Sequence, residues 1–92
     1  MHYILFYQTV DGYVEKRQPY REKHLQLAQQ AYKDGILILA GALDEPADSA
    51  VLIFQCKNKS TVEHFAESDP YVQNGLIKKW EVRPWTVVIG NN

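Results

Sequence analysis

Two side chains in this 92-residue sequence could form an acid–base pair, His24 and Asp69, and each sits where its neighbours predict a buried face. Histidine is the side chain whose ordinary ionisation falls nearest neutral pH, which suits it to moving protons. Tyr20, His24, Leu27, Ala28 and Ala31 are neighbours on one side of a helix, so the His24 ring points inward from an otherwise apolar or small stripe. Asp69 follows Val62, Phe65 and Ala66, seven residues on from the first of them, which ends that stripe on a carboxylate. Hydrogen bonding of Asp69 to one ring nitrogen would fix the tautomer and leave the other nitrogen as a base or acid. Simpler roles exist for both. A backbone carbonyl can satisfy an inward histidine, and Asp69-Pro70 is a common helix-start pair that caps the turn after it. Capping and orienting a histidine are compatible.

Arg17 and Arg21 stand nearly two turns and one turn before His24. They could hold an anionic substrate by bidentate pairing, or remain solvated surface charges. Gly41 would let a ligand approach the backbone. Tyr71 reads as a packing aromatic with its hydroxyl at the surface, and joins Arg17, Arg21 and Gly41 as a substrate-binding candidate. The other histidines add little: His2 is beside the amino terminus, and His64 falls with Glu63 and Glu67 on the outer face of a helix. No metal-ligand pattern emerges from them. Glycine-rich phosphate loops, a nucleophile elbow and paired CxxC motifs are absent, so no cofactor is implied.

Composition narrows the partners. Ten Lys and Arg against eleven Asp and Glu give a formal charge of −1, without the basic excess that nucleic acid demands. Cys56 is alone and can form neither an internal disulfide nor a cysteine-rich metal site, which suits a reducing compartment and points to the cytoplasm. No Lys or Arg precedes Lys16, and the longest apolar stretch, 36–43, is too short to span a bilayer, so neither export nor a membrane is signalled. With 46% hydrophobic and 23% charged residues, 1–92 reads as one globular domain.

The elements that must carry these residues follow from periodicity. Residues 2–10 read as a strand ending at the Asp11-Gly12 turn. A helix is expected over 19–34, with Pro19 in its first turn and Gly35 past its end. Apolar runs at 36–43 and 50–57 flank a polar loop and read as a hairpin. Ser60, with Glu63 completing a capping box, starts a second helix that Pro70 interrupts. A helical turn follows at 69–75, and a last strand is expected over 80–89, with Pro84 arguing for an edge position. The order β-α-β-β-α-β predicts a ferredoxin-like α+β fold, a four-stranded antiparallel sheet with both helices on one face. All four strands look apolar on both sides, so a homodimer is expected to cover the open face. Antiparallel helices would then bring His24 and Asp69 to one end of the domain.

At these residues the sequence resembles the YciI-like (YCII-related) family of dimeric α+β barrel proteins. The resemblance rests on Met1-His2-Tyr3, Glu15-Lys16-Arg17, Arg21 three before His24, the Gly35 to Gly41 strand, Asp69-Pro70-Tyr71-Val72 with Gly75, and Val82-Arg83-Pro84-Trp85. It implies a ferredoxin-like protomer, a dimer packed through its sheets, and a site in which the family's histidine and aspartate fall on His24 and Asp69. Lyase or isomerase-like steps on small, often aromatic or enol-type molecules are the reactions it implies. Two features depart from the pattern: Ala42 replaces a proline found in many relatives, and the 44–49 loop is short. The expected function is a small enzyme that moves a proton with His24, oriented by Asp69, on a small polar or aromatic ligand. Two other readings are a non-catalytic ligand-binding or regulatory module of the same fold, and a cofactor-free oxygenase of the related barrels.

Overall fold

The computed structural model describes residues 1–90, so the last two residues of the expected 1–92 domain lie outside the described residues. Four strands, β1 (His2–Thr9), β2 (Leu37–Ala42), β3 (Ser49–Gln55) and β4 (Ile77–Trp85), form one antiparallel sheet in the order β2-β3-β1-β4. The helices are α1 (Tyr13–Lys16), α2 (Arg21–Lys33), α3 (Lys59–Ser68) and α4 (Pro70–Gln73), with a 3-10 turn at Gln18–Tyr20. This is the expected ferredoxin-like α+β fold.

Strand alternation builds the core. Tyr3, Leu5, Tyr7 and Thr9 of β1 and Ala50, Leu52 and Phe54 of β3 are buried beneath the helices. Val62, Phe65 and Ala66 of α3 close over them, and the Phe54 and Phe65 rings meet edge-on at 5.1 Å between centroids. Helix α2 contributes a half-buried stripe, His24, Leu27, Ala28 and Ala31, as its periodicity predicts, and Tyr20 of the 3-10 turn before it extends that stripe. Gly35, just past its end, takes φ +76°, a backbone setting that glycine adopts without strain.

Several expectations need correction. Helix α2 begins at Arg21, not Pro19, because Pro19 belongs to the 3-10 turn before it. The short α1 went unread. Helix α3 starts one residue before Ser60, and the extended Asn58, not Ser60, is its N-cap residue; no side chain caps it. The last strand runs over Ile77–Trp85 rather than 80–89. It stops where its partner does, since His2 pairs with Trp85 and β1 offers nothing further to bond. At its start, Lys78 and Lys79 hid the strand, but the register shift beside Gln8 and Thr9 absorbs an extra residue and lets Ile77, Trp80 and Val82 all face inward. Pro84 does lie on an edge strand.

The open sheet face also differs. Ile4, Phe6, Leu39, Val51 and Ile53 make it apolar across three strands, but β4 contributes Lys79, Glu81 and Arg83. Not all four strands are therefore apolar on both sides.

Candidate active site

The site begins at Asp69, where α3 ends and α4 starts. Its backbone is extended, with φ −71° and ψ 122°, so Asp69 leaves the helix at the level where the buried stripe points and α4 restarts from it at Pro70. The carboxylate is wholly buried. Oδ1 accepts the Tyr71 backbone N–H at 2.9 Å, the capping bond expected of Asp before Pro. The same oxygen lies 2.8 Å from His24 Nδ1. Oδ2 accepts the Tyr7 hydroxyl at 2.8 Å. One carboxylate thus ties α2, α4 and β1 together, and capping and histidine contact coexist.

With Nδ1–H donated to the carboxylate, the neutral His24 ring carries its lone pair on Nε2. The ring stacks flat on Tyr71, 3.8 Å between centroids and 7° between planes, and Tyr13 meets Tyr71 edge-on at 5.7 Å. These aromatics fix the imidazole face while the carboxylate fixes its edge.

Beside them opens a cleft of about 570 Å³ between α2 and β2. Arg17, Arg21, His24, Gly41 and Tyr71 all line it, whereas Asp69 stands behind His24, outside the lining. The remaining wall is largely apolar or aromatic, including Tyr13, Leu37 and Leu52. The Arg17 guanidinium lies over the Tyr13 ring at 5.2 Å, and its Nε is buried without a hydrogen-bond partner. A Cβ at Gly41 would meet nothing within 4 Å, so the backbone there faces open space.

Tyr71 corrects its expectation: it is 1% exposed, and its hydroxyl is buried with no partner rather than placed at the surface. Burial, then Tyr13, raises its phenol above the usual value, while Arg21 and Arg17 pull the other way. Burial, followed by the Asp69 charge, pushes the Tyr7 phenol far above its usual value, so Tyr7 remains a donor throughout the working pH range. Of the residues set aside, His64 and Glu67 are exposed as expected, but Glu63 is half-buried. Among the described residues no cluster of His, Cys, Asp and Glu has a metal-binding arrangement, and no helix is long and apolar enough to cross a membrane.

Sequence reasoning missed Tyr7 and Tyr13. Tyr7 was within reach: alternation puts it on the buried face with Leu5, at the end of β1 that leads toward α2. Tyr13 was hidden because four-residue helices leave no periodicity to read.

The chain as a whole is similar to several known proteins. The YCII-related domain matches residues 1–86. An uncharacterized protein of Haemophilus influenzae is 31% identical over 97 residues, spanning 96% of this chain and 99% of its own length. Among solved structures, 5-chloro-2-hydroxyhydroquinone dehydrochlorinase from Burkholderia phenoliruptrix, in complex with 2,5-dihydroxybenzoquinone, superposes with a TM-score of 0.82 at 19% identity, covering all of both chains. A NIPSNAP family protein from Agrobacterium tumefaciens gives 0.62 at 16% identity, over 97% of this chain and 93% of its own. At these identities the structural likeness shows a shared fold.

Proposed function

This chain belongs to the YCII-related domain family, and we propose that it is a small-molecule enzyme in which His24, oriented by Asp69, transfers a proton on a planar, acidic, aromatic or enol-type substrate. The observation that carries the reading is the His24 Nδ1 to Asp69 contact of 2.8 Å, which leaves Nε2 as the free ring nitrogen at the wall of an aromatic-lined cleft. A base at Nε2 removes a proton from substrate carbon or oxygen, and the imidazolium formed is stabilised by the carboxylate behind it. Negative charge then builds on the substrate. Arg17 and Arg21 stand on the same cleft to receive it, and the unpaired Tyr71 hydroxyl is a further donor. Flat walls and two guanidinium groups favour a flat anion over an extended or neutral molecule.

Proton abstraction followed by loss of a leaving group is a lyase reaction, and abstraction followed by reprotonation elsewhere is an isomerisation; one base serves both. The fold shared with a dehydrochlorinase supports the lyase-like branch. The whole 1–92 chain forms the YCII-related domain in this reading, and the protein works in the cytoplasm as a homodimer packed through the open sheet face, where Ile4, Phe6, Leu39, Val51 and Ile53 would be covered.

The relative's ligand supplies a coloured probe. Titration with 2,5-dihydroxybenzoquinone, followed by visible absorbance, is expected to show saturable binding that weakens at least tenfold in Arg21→Gln, the loss of one charge-assisted hydrogen bond. Binding indifferent to Arg21, or none, would count against an anion-binding cleft. Binding with no proton transfer to any small acid would favour the non-catalytic module.

A further inference from the structure

Neither packing nor proton transfer accounts for the hydroxyl of Tyr7. This residue shares the buried face of β1 with Tyr3, Leu5 and Thr9, and it is 2% exposed. A phenylalanine would fill nearly the same volume. The difference is one hydroxyl, taken out of water and given a single partner, Asp69 Oδ2, at 2.8 Å. A buried hydroxyl is unfavourable unless it is paired, and a buried carboxylate oxygen more so. The two groups satisfy each other.

The consequence lies in how a carboxylate is held. Oδ1 already serves both the Tyr71 N–H and His24. A single anchored oxygen leaves the broad Cβ–Cγ torsion of aspartate free to rock, and rocking moves Oδ1 out of line with Nδ1. A donor on the second oxygen removes that freedom. Tyr7 can supply it because β1 is the strand between β3 and β4, hydrogen-bonded on both sides, so its hydroxyl sits on one of the most constrained elements of the sheet. Tyr7 lines the cleft, but its hydroxyl is committed to Asp69 Oδ2 and makes no hydrogen bond to His24.

We propose that Tyr7 is a positioning residue of this site, whose hydroxyl locks the Asp69 carboxylate in the orientation that presents Oδ1 to His24. This deepens the proton-transfer reading and rests on it. A role confined to core stability would lower the melting temperature of Tyr7→Phe and leave the His24–Asp69 hydrogen bond untouched. The bond itself is therefore the readout.

The test follows the His24 Nδ1 proton by NMR in the full chain, in wild type, Tyr7→Phe and Asp69→Asn. The wild type should show a slowly exchanging downfield imidazole proton that Asp69→Asn abolishes. In Tyr7→Phe its exchange with water should accelerate at least tenfold, or the line broaden away, with the fold retained; tenfold is what loss of one hydrogen bond to a charged group implies. An Nδ1 proton exchanging at the wild-type rate in a folded Tyr7→Phe would overturn the role of Tyr7 and leave the pair standing. A wild type that shows no such proton would overturn the pair, and with it the reading on which Tyr7 depends. Should Tyr7→Phe fail to fold, the Tyr7 hydroxyl proton of the wild type decides: protected from exchange and close to the Asp69 methylene supports the lock, and exchange at the free-solvent rate overturns it.

Discussion

At Asp69 three donors from three elements converge on one buried carboxylate, and a single ionisation behaviour follows for one of them. Because burial and the Asp69 charge raise the Tyr7 phenol above the value of about 10 expected in an unfolded chain, the folded state holds that proton where the unfolded state releases it. The stability this gives is complete below pH 10 and declines as pH rises beyond it. Tyr7→Phe lacks both the hydrogen bond and the titration. At pH 8 it should be about 1–3 kcal/mol less stable than wild type, the range for stranding a buried acceptor, and the gap should narrow between pH 10 and 11. Urea melts across that interval check the sign; a gap that widens with pH would contradict it. Tyr71, whose phenol is also raised by burial, is common to both proteins and cancels in the difference.

At the scale of elements, the α3–α4 junction is where two functions share one residue. If Asp69 only capped α4, asparagine would replace it within a few tenths of a kcal/mol, because Asn and Asp cap equally well. The asparagine side chain in Asp69→Asn, however, removes the charge that strengthens all three bonds, and its NH2 faces either the Tyr71 N–H and His24 Nδ1–H, donor against donors, or the Tyr7 hydroxyl, which must then turn from donor to acceptor. This substitution is therefore expected to lose about 1–3 kcal/mol in denaturant melts, and a loss of only a few tenths would leave the cap as the sole structural role of Asp69. The same junction shows what sequence could and could not disclose. Helical spacing placed His24 on a stripe and Asp69 at the end of another, and Asp-Pro announced the cap, so the two halves of the pair and their shared end of the fold were legible. Their contact was not. It depends on Asp69 leaving α3 in an extended conformation, a tertiary outcome that periodicity does not encode. The strand end at Trp85 was also illegible, because Thr86, Val87, Val88 and Ile89 have strand-like composition and only the length of β1 denies them a partner.

At the scale of the whole molecule, the helices cover one face of the sheet and leave Ile4, Phe6, Leu39, Val51 and Ile53 on the other, with Phe6 40% and Leu39 66% exposed. A solvated Phe6 in a single chain means that Phe6→Asp should spare the fold and break a dimer instead. Sedimentation should find wild type as a dimer at micromolar concentration and Phe6→Asp as a folded monomer; a monomeric wild type would rule out the dimer. The cleft shares Leu39 with that face, and the chemistry proposed for it is the transfer of a proton by His24. That transfer is measurable in D2O, by NMR detection of deuterium incorporation at carbon in small enolisable acids such as hydroxyaromatic and 1,3-dicarbonyl carboxylates. Wild type should accelerate exchange in at least one of them, and His24→Gln, which keeps a polar side chain but no base, should lose about 10²–10⁴-fold of that rate while still binding the compound. Equal exchange rates in wild type and His24→Gln would contradict the claim that His24 is the base.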